Sequence, residues 1–257
     1  MGLIILTPLK GLTWTPLSLT PSLWWRGDSL VLESGTRCTQ VTDKSGNGNN
    51  ATASSGSAQR PTYSASLFNG QPGLTFDAST PNYMNWGTNV IFNTGTAVNI
   101  LHVVKFNGFV GGAQYSLLLA GRAQTNPYQF VQTFYYQTTV YRPFTFGFTD
   151  GGATGVMGVT ASPALTSFRA LTTTYGGSSP SSASSFTMSV DNTTQTVVAT
   201  GTPWSGAGYI NAFGYYTAGT PLGGNFDWCE TIVYPPPSGA NQTKLATYIL
   251  NRYGLTI

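Results

Sequence analysis

The sequence predicts an all-β sandwich with one α-helix at its C-terminus. Runs with β-branched or aromatic residues at alternate positions recur along the chain, and turns rich in Gly, Asn and Ser separate them. A helical spacing of apolar residues occurs only near the C-terminus. The 257 residues are enough for one large β domain with a substantial core that needs no metal or disulfide.

The N-terminal segment is rich in Leu, Thr and Pro and contains LTPLKGLTWTPLSLTP. Its prolines favour extended backbone over a long helix. We therefore predict an N-terminal arm over residues 1–20 and a β-sandwich domain over residues 21–257. The arm has too much apolar surface to remain in water. We expect it either to attach the chain to a neighbouring subunit or to fold back on its own sandwich as an edge strand.

The strongest strand signal is VNILHVVKF at residues 98–106. It is apolar at nearly every position, which predicts a central strand covered on both faces. The runs YQFVQTFYY and FTFGF alternate with a period of two. The run SFTMSVDNTTQTVVATG predicts a hairpin with its turn at residues 191–194. Three apolar side chains then share one face of this hairpin: Phe186, Met188 and Val190.

The last strand and the helix are predicted from FDWCETIVY and the segment that follows it. An uninterrupted period of two puts four residues of this strand in phase: Phe226, Trp228, Ile232 and Tyr234. Ser238 is the predicted N-cap and Gly254 the predicted C′ residue of the helix. Leu245, Tyr248 and Ile249 have helical spacing.

The composition excludes several classes of partner. Only 7% of the residues are charged, against about 25% in an average domain, and 13% are aromatic. Such weakly charged chains are common among extracellular and virion β-proteins. The net charge of +3 comes from scattered basic residues, so we expect no nucleic-acid partner. We also expect no membrane partner and no signal peptide, because no apolar run has transmembrane length and the N-terminus lacks a charged region.

Several segments occur in the order seen in one known family. They are LTPSLWWRGDS, VTDKSGNGNNATA, RPTY, NGQPGLTFD, SVDN, FDWCETIVY and LATYILNRYGL. Over about residues 17–257 the chain resembles concanavalin A-like, laminin-G-like jelly-roll domains, which are widespread in bacterial surface proteins and phage structural proteins. The resemblance implies two packed antiparallel sheets. It leaves function open among lectins, adhesion modules, glycanases and structural domains.

The sequence departs from the family pattern at two places. WWRGDS stands where relatives often carry an acidic stretch, which changes the charge of any surface site there. Asn192 stands where many relatives carry Gly. Neither departure argues against the fold.

The loop VTDKSGNGNN at residues 41–50 begins like a calcium-binding EF-hand loop. Asp43, Ser45 and Asn47 occupy positions 1, 3 and 5, and Gly48 occupies position 6. Position 12 is Ser54, where an EF-hand needs a bidentate Glu. We therefore predict a structural turn held by side-chain to backbone hydrogen bonds, and no cofactor. Calcium bound by Asp43, Ser45 and Asn47 is the alternative.

The sequence offers no local pair of catalytic carboxylates. The chain has two glutamates, Glu33 and Glu230, and lacks the Glu-x-Asp-x-Glu run expected of a glycanase on this fold. On an uninterrupted strand Asp227 and Glu230 point to opposite faces, whereas glycoside hydrolysis needs two carboxyl groups roughly 5–9.5 Å apart. We predict no catalytic residues and no enzyme activity. Glu230 matches a frequent acidic position in the family's last strand, which implies a buried, hydrogen-bonded role.

The histidine and the two cysteines also fit structural roles. His102 is in phase with apolar residues of its strand, which predicts a core histidine bonded to a neighbour. Cys38 and Cys229 are far apart in sequence and fit no metal spacing. The resemblance places them near each other in one sandwich, and we expect reduced thiols.

Aromatic residues are the remaining candidates for ligand binding. FYYQTTVYR and FGYY place adjacent tyrosines on predicted strands, so one member of each pair faces away from the core. Exposed aromatic rings stack on sugars or anchor protein interfaces, although they also cover neighbouring strands. The candidate ligand-binding residues are Tyr135, Tyr136, Tyr141, Tyr215 and Tyr216.

The resemblance and the composition together favour a non-enzymatic virion protein of a tailed phage. We expect it to be made in the host cytoplasm and exposed on capsid or tail as a decoration or adhesion subunit. Its expected partners are other virion proteins, bound through the arm, and a host-surface glycan is a further option. We expect a homo-oligomer or a particle-bound subunit. The alternatives are a free carbohydrate-binding lectin module and, less supported by the residues, a glycanase.

Overall fold

The computed structural model describes residues 14–53, 56, 60–77, 82, 84–92, 95–108, 115–122, 128–137, 140–150, 153–159, 166–178, 182–200, 208–218 and 220–257. Within these ranges, side chains are described except at 86–92, 115–159, 183, 198–213 and 215–223. The fold is an antiparallel two-layer β-sandwich with one C-terminal α-helix, which confirms the predicted fold class.

The described elements are twenty strands, one α-helix and two short 3-10 helices. The first ten strands are β1 (Leu23–Arg26), β2 (Leu30–Glu33), β3 (Arg37–Val41), β4 (Ala51–Ala53), β5 (Thr62–Phe68), β6 (Gln71–Phe76), β7 (Met84–Phe92), β8 (Val98–Phe106), β9 (Tyr115–Arg122) and β10 (Tyr128–Gln137). The others are β11 (Val140–Asp150), β12 (Ala153–Val159), β13 (Arg169–Tyr175), β14 (Phe186–Val190), β15 (Thr193–Gln195), β16 (Val197–Thr200), β17 (Gly208–Phe213), β18 (Tyr215–Ala218), β19 (Thr220–Gly223) and β20 (Phe226–Tyr234). The helix is α1 (Gly239–Tyr253), and the 3-10 helices are Pro16–Leu19 and Ala183–Ser185.

The strands form two layers. In the helix-side sheet, β20 pairs with β8 on one side and with β6 and β1 on the other. β5 extends this sheet beyond β6, and β13, β14 and β15 extend it beyond β8. The opposite sheet has the order β2-β3-β4-β7-β17-β9-β10-β11-β12-β16. One pairing between β3 and β5 links the two sheets, and β18 and β19 form a separate hairpin.

Two apolar cores cover the two faces of the helix-side sheet. The interior core lies between the sheets and contains the large buried side chains Trp25, Phe76 and Trp228. The outer core lies between this sheet and α1, and it contains Leu245 and Ile249 of the helix. The central strand β8 contributes to both cores, as its apolar sequence predicts.

The hairpin and the helix follow their local sequence signals. The β14–β15 turn is tighter than predicted, because Val190 already pairs with Thr193 and only two residues connect the strands. Both turn residues, Asp191 and Asn192, have positive φ, which Asn and Asp tolerate better than other non-glycine residues. Ser238 caps α1 through the backbone N–H of Asn241, as predicted. No helix in the described ranges is long and apolar enough to cross a membrane.

A β-bulge in β20 changes which side chains face the interior. The register of β20 against β8 shifts between Trp228 and Glu230. Phe226 and Trp228 therefore belong to the interior core, whereas Ile232 and Tyr234 belong to the outer core. The prediction that these four aromatic and aliphatic residues lie in phase is wrong, because a bulge inserts one extra residue and reverses the alternation.

The same bulge puts both acidic residues of β20 on the helix side. Asp227 pairs with Lys105, whose ammonium lies over the Phe168 ring of the outer core. Glu230 accepts hydrogen bonds from Tyr248 of α1. The prediction that Asp227 and Glu230 point to opposite faces is therefore wrong.

The described end of the predicted arm packs on the outer core. Trp14 is half-buried and meets Tyr248 edge-to-face, with the ring centroids 6.2 Å apart. Pro16 and Leu19 are buried in the 3-10 helix that follows. Residues 1–13 of the arm lie outside the described residues, and the division of the chain at residue 20 stays a prediction.

We expect Gly73→Ala to destabilise the fold strongly. A Cβ at this position would collide with the backbone carbonyl oxygen of Trp228 in the bulge and lie 2.7 Å from Cδ2 of Leu67. Overpacking of this kind costs about 1–3 kcal/mol or more. Chemical denaturation should show this loss, while Gly239→Ala, where a Cβ has no atom within 4 Å, should change little. Equal effects of the two substitutions would contradict this account of the bulge.

Candidate functional site

The carboxylate of Glu230 is fully buried and receives hydrogen bonds from two elements that pack against its strand. The Trp24 indole N–H of β1 donates to Oε1 over 2.6 Å. From α1, the Tyr248 hydroxyl donates to Oε1 over 2.8 Å, and the Tyr253 hydroxyl donates to Oε2 over 2.6 Å. The predicted buried, hydrogen-bonded role of Glu230 is confirmed.

Two arginines form the outer layer of this network. Arg26 Nη1 donates to the Tyr248 hydroxyl over 3.4 Å, and Arg252 Nε donates to the Tyr253 hydroxyl over 3.1 Å. Each tyrosine hydroxyl therefore accepts from a guanidinium while it donates to the buried carboxylate. Asp28 closes the network at the surface, with Arg26 Nε 2.5 Å from one oxygen and Arg252 Nη2 3.3 Å from the other.

The ionisation of these groups follows from burial and from their partners. Burial raises the pKa of Glu230, although its hydroxyl and indole donors and the charge of Arg252 oppose the rise. Burial also raises the pKa of Tyr248 and of Tyr253, so both hydroxyls stay protonated as donors. For Asp28, burial alone would raise the pKa, but the hydrogen bond from Arg26 and the nearby cations lower it overall.

A surface cleft of about 250 Å³ lies directly above this network. Its lining residues come from the arm, from β6 and from the last turns of α1: Trp14, Gln71, Tyr248, Asn251 and Arg252. The Trp14 and Tyr248 rings meet at an interplanar angle of 62°, so they form a corner rather than a stack. Since the Tyr248 hydroxyl is held by Glu230, the orientation of this aromatic wall is fixed from below.

Three polar groups of the cleft have no hydrogen-bond partner among the described residues. The indole N–H of Trp14 is buried and unpaired. The carboxamides of Gln71 and Asn251, half-buried and exposed respectively, also take part in no hydrogen bond within the described ranges. Buried polar groups in folded proteins are normally paired, so an unpaired N–H next to two free amides indicates a place where a polar ligand or water completes the bonding.

Backbone structure presents the two amides to the cleft. The turn between β5 and β6 has positive φ at Asn69 and Gly70, and it places Gln71 as the first residue of β6. Asn69 fixes this turn to the end of α1, because its side-chain amide donates to the Tyr253 carbonyl over 2.5 Å. Asn251 lies on the last turn of the same helix.

The loop at residues 41–50 is a turn organised around a buried aspartate. Oδ1 of Asp43 accepts from the backbone N–H groups of Trp24 and Ser45, each over 2.9 Å. Oδ2 accepts from the Ser45 hydroxyl over 2.7 Å and from the Asn49 N–H over 3.0 Å. These four donors occupy the lone pairs of the carboxylate, which supports the predicted structural turn. The Asn47 amide donates to backbone carbonyls at the start of β1.

Other titratable residues named from the sequence have structural partners. His102 is buried with Nδ1 2.8 Å from Thr231 Oγ1, which confirms the predicted core histidine. Asp227 binds Lys105 and accepts from Thr75 and Asn107. No group of three or more His, Cys, Asp or Glu in the described ranges is placed to hold a metal ion.

The two cysteines are free and buried, and they lie in different cores. Cys38 belongs to the interior core and Cys229 to the outer core. Burial raises the pKa of Cys38 to about 12 and also raises the pKa of Cys229. Both thiols are therefore poor nucleophiles at neutral pH.

The tyrosines predicted as ligand candidates lie on described strands, but their side chains lie outside the described residues. In the pairing of β10 with β11, Tyr136 is opposite Tyr141 and Tyr135 is opposite Arg142. Tyr215 and Tyr216 lie on β18, in the separate β18–β19 hairpin. Their role in binding stays a prediction.

Sequence reasoning did not find the residues of the cleft. Trp14 lies in the segment predicted to be an attachment arm, and Gln71 and Asn251 are single amides without a motif. Tyr248 was predicted only as part of the helix face. The signal that brings them together is tertiary: the helix ends beside the β5–β6 turn.

Comparison with known proteins supports the fold. No family model matches the chain, and no curated protein matches it. Among solved structures, a GH54 α-L-arabinofuranosidase soaked with 4-nitrophenyl α-L-arabinofuranoside is similar, with a TM-score of 0.50 and 14% identity over 85% of this chain and 52% of that chain. At this identity the similarity shows a shared β-sandwich fold. It is the fold that the concanavalin A-like resemblance implies, and membership of that family stays a prediction.

Two further structures have lower scores. Trypanosoma rangeli sialidase in complex with sialic acid matches with a TM-score of 0.47 and 11% identity, over 89% of this chain and 33% of that chain. Domain 4 of an extracellular GH43 arabinanase from Geobacillus stearothermophilus, in complex with arabinotriose, matches with a TM-score of 0.43 and 11% identity, over 84% of this chain and 92% of that domain. The chain spans about a third of the sialidase and about half of the arabinofuranosidase.

Substitution of Glu230 separates the effect of its hydrogen bonds from that of its charge. Glu230→Ala leaves one indole N–H and two tyrosine hydroxyls buried without their acceptor. We expect it to lower the free energy of unfolding by about 3–5 kcal/mol. Glu230→Gln keeps the shape and an acceptor oxygen, and it should cost much less in chemical denaturation at pH 7.

The charge of Glu230 should affect how the free energy of unfolding depends on pH. Its pKa in the folded protein is raised above the ordinary value of 4.5, so the stability it contributes is full below that value and is lost as pH rises through the folded pKa. The stability of the wild type relative to Glu230→Gln should therefore increase as pH falls from about 8 to about 5. A difference that stays constant or shrinks on acidification would contradict this assignment.

The Asp43 loop should be insensitive to calcium. A calcium ion bound at 100 times its dissociation constant would stabilise the folded state by about 2.7 kcal/mol, which is several degrees in Tm. We expect the same Tm in EDTA and in excess calcium, because the loop's own donors already occupy the carboxylate. Asp43→Ala should lower the Tm in both conditions, since it removes those acceptors. A calcium-dependent rise in Tm that Asp43→Ala abolishes would show a metal site instead.

Proposed function

We propose that this chain is a non-enzymatic carbohydrate-binding β-sandwich module whose binding site is the cleft at the end of α1. The observation that carries the proposal is the set of unpaired polar groups beside an aromatic corner. Trp14, Gln71 and Asn251 offer an indole N–H and two amides that have no partner among the described residues, next to the ring of Tyr248.

These groups match the chemistry of a sugar. A pyranose has apolar C–H faces that pack against aromatic rings, and its hydroxyls both donate and accept hydrogen bonds. Each carboxamide can serve a pair of neighbouring hydroxyls, because it has one acceptor oxygen and two donor hydrogens. Ligand sites in general combine such an apolar wall with a few directed polar groups. A cleft of about 250 Å³ has room for a terminal sugar residue.

The acidic residues near the cleft support binding rather than hydrolysis. Glu230 lies beneath Tyr248 with both oxygens accepting hydrogen bonds. Asp28 is paired with Arg26 and Arg252. Since no carboxylate is among the described residues that line the cleft, a sugar bound there would meet neither a general acid nor a nucleophile from them.

The setting in which such a module works remains the one predicted from the sequence. The virion role, the location on capsid or tail and the attachment through the arm stay predictions, as does the alternative of a free lectin module.

Removal of the two free amides tests the binding site without disturbing the fold. We expect Gln71→Ala and Asn251→Ala each to weaken the affinity for a bound glycan about tenfold, since each loses hydrogen bonds worth roughly 1–1.5 kcal/mol. Binding is first found on an immobilised panel of neutral and acidic glycans and then measured by calorimetry. The Tm should stay the same, because neither amide has a partner among the described residues.

Gln242→Ala is the matched control. It removes an exposed amide from the first turns of α1, far along the helix from Asn251, so glycan affinity should be unchanged. Trp14→Ala should abolish measurable binding, since it removes both the ring and the N–H. Binding of no glycan by the wild type, or binding that all these variants retain, would contradict the proposal.

A further inference from the structure

The surface next to the cleft has an excess of positive charge. Arg26, Lys44 and Arg252 all act on the single surface carboxylate of Asp28. Two further carboxylates lie nearby and are buried: Glu230 beneath the tyrosines and Asp43 at the backbone of Trp24. Three cations therefore share one exposed anion, in a chain where only 7% of the residues are charged.

Lys44 forms no ion pair within 4 Å in the described ranges. Its ammonium lies 5.7 Å from the centroid of the Trp24 ring, while the Arg26 guanidinium lies 5.1 Å from the same ring. Trp24 is thus in contact with two cations, while its indole N–H binds the buried Glu230 and its backbone N–H binds the buried Asp43. The cations of this region outnumber its exposed carboxylate, Asp28, since Asp43 and Glu230 are both buried.

Arg252 brings this charge into the cleft. Its side chain is 19% exposed and is one of the groups that line the cleft. Nε is used by Tyr253, and Nη2 makes a long 3.3 Å contact with Asp28. Nη1 has no acceptor in the described part of the chain. A guanidinium with free N–H groups beside an aromatic wall is the side chain best suited to bind a carboxylate.

We propose that the cleft selects a sugar that carries a carboxylate, bound through Arg252 and attracted by the cation cluster of Arg26, Lys44 and Arg252. This inference rests on the proposed function of the cleft and specifies its ligand class. The sugar ring packs in the corner of Trp14 and Tyr248, its hydroxyls bind the two amides, and its carboxylate faces Arg252.

Matched sugar pairs test the charge preference directly. Methyl glucoside is compared with methyl glucuronide by calorimetry or ligand-observed NMR, together with the corresponding galacto and manno pairs. Each pair differs only in the carboxylate, so the neutral member measures sugar recognition by itself. In at least one pair, the acid should bind about tenfold more tightly at low salt. This preference should fall as salt rises toward 1 M, because the Debye length then drops to about 3 Å.

Two variants assign the preference to named side chains. Arg252→Lys keeps the charge but loses the planar fork, so it should reduce the ratio of acid to neutral affinity within each pair. Lys44→Gln removes a cation that has no ion-pair partner among the described residues, and it should reduce the preference about twofold through lost long-range attraction. Thermal melting shows that each variant remains folded.

The outcomes separate this inference from the proposed function. Equal affinity for the acidic and neutral members of every pair would overturn the inference and leave sugar binding intact. Failure of all pairs to bind the wild type would overturn both. A preference that Arg252→Lys leaves unchanged would also overturn the inference, as would competition by acetate as strong as that by the acid sugar, since acetate contains no sugar ring.

Discussion

A carboxylate that water cannot reach needs protein donors in place of its hydration, and its position then limits where those donors can be. Glu230 is fully buried, and its donors come from β1 and from two positions of α1. The helix cannot slide or rotate on the sheet without leaving this carboxylate unpaired, which costs several kcal/mol. The position of α1 on the sheet, and therefore the cleft at the end of the helix, depends on the Glu230 carboxylate.

The position of Glu230 depends in turn on the backbone around it. The bulge in β20 moves Glu230 to the helix side, and the bulged carbonyl of Trp228 has room only because residue 73 is glycine. Trp24, which binds Glu230 through its indole, is itself fixed by its backbone N–H, which donates to Asp43. The turn around Asp43 and the hydrogen-bond network of Glu230 are therefore connected, because Trp24 binds both carboxylates.

The sequence predicts the parts of this structure that depend on local signals. The central strand, the β14–β15 hairpin and the capped helix each carry their own pattern, and all three are found, the hairpin with a tighter turn than predicted. The bulge has no signal in the sequence, because FDWCETIVY also fits a regular strand that alternates without interruption. The phase of β20 that the sequence predicts is therefore wrong. A bulge is selected by pairing across strands and by contacts such as that of Gly73 with Trp228, which only the folded chain brings together.

The cleft differs from the network beneath it in a way that explains why sequence reasoning missed it. Side chains that hold the fold have partners inside the protein, and their burial and spacing leave a pattern that can be recognised. Gln71, Asn251 and the indole N–H of Trp14 have no such partners among the described residues, so their identity is not set by the fold. The rigid network orients the Tyr248 wall, while the amides of Gln71 and Asn251 can vary without loss of a hydrogen bond to the described residues. The two amides can therefore change ligand preference without changing stability, whereas Tyr248 and Arg252 belong to both the network and the cleft.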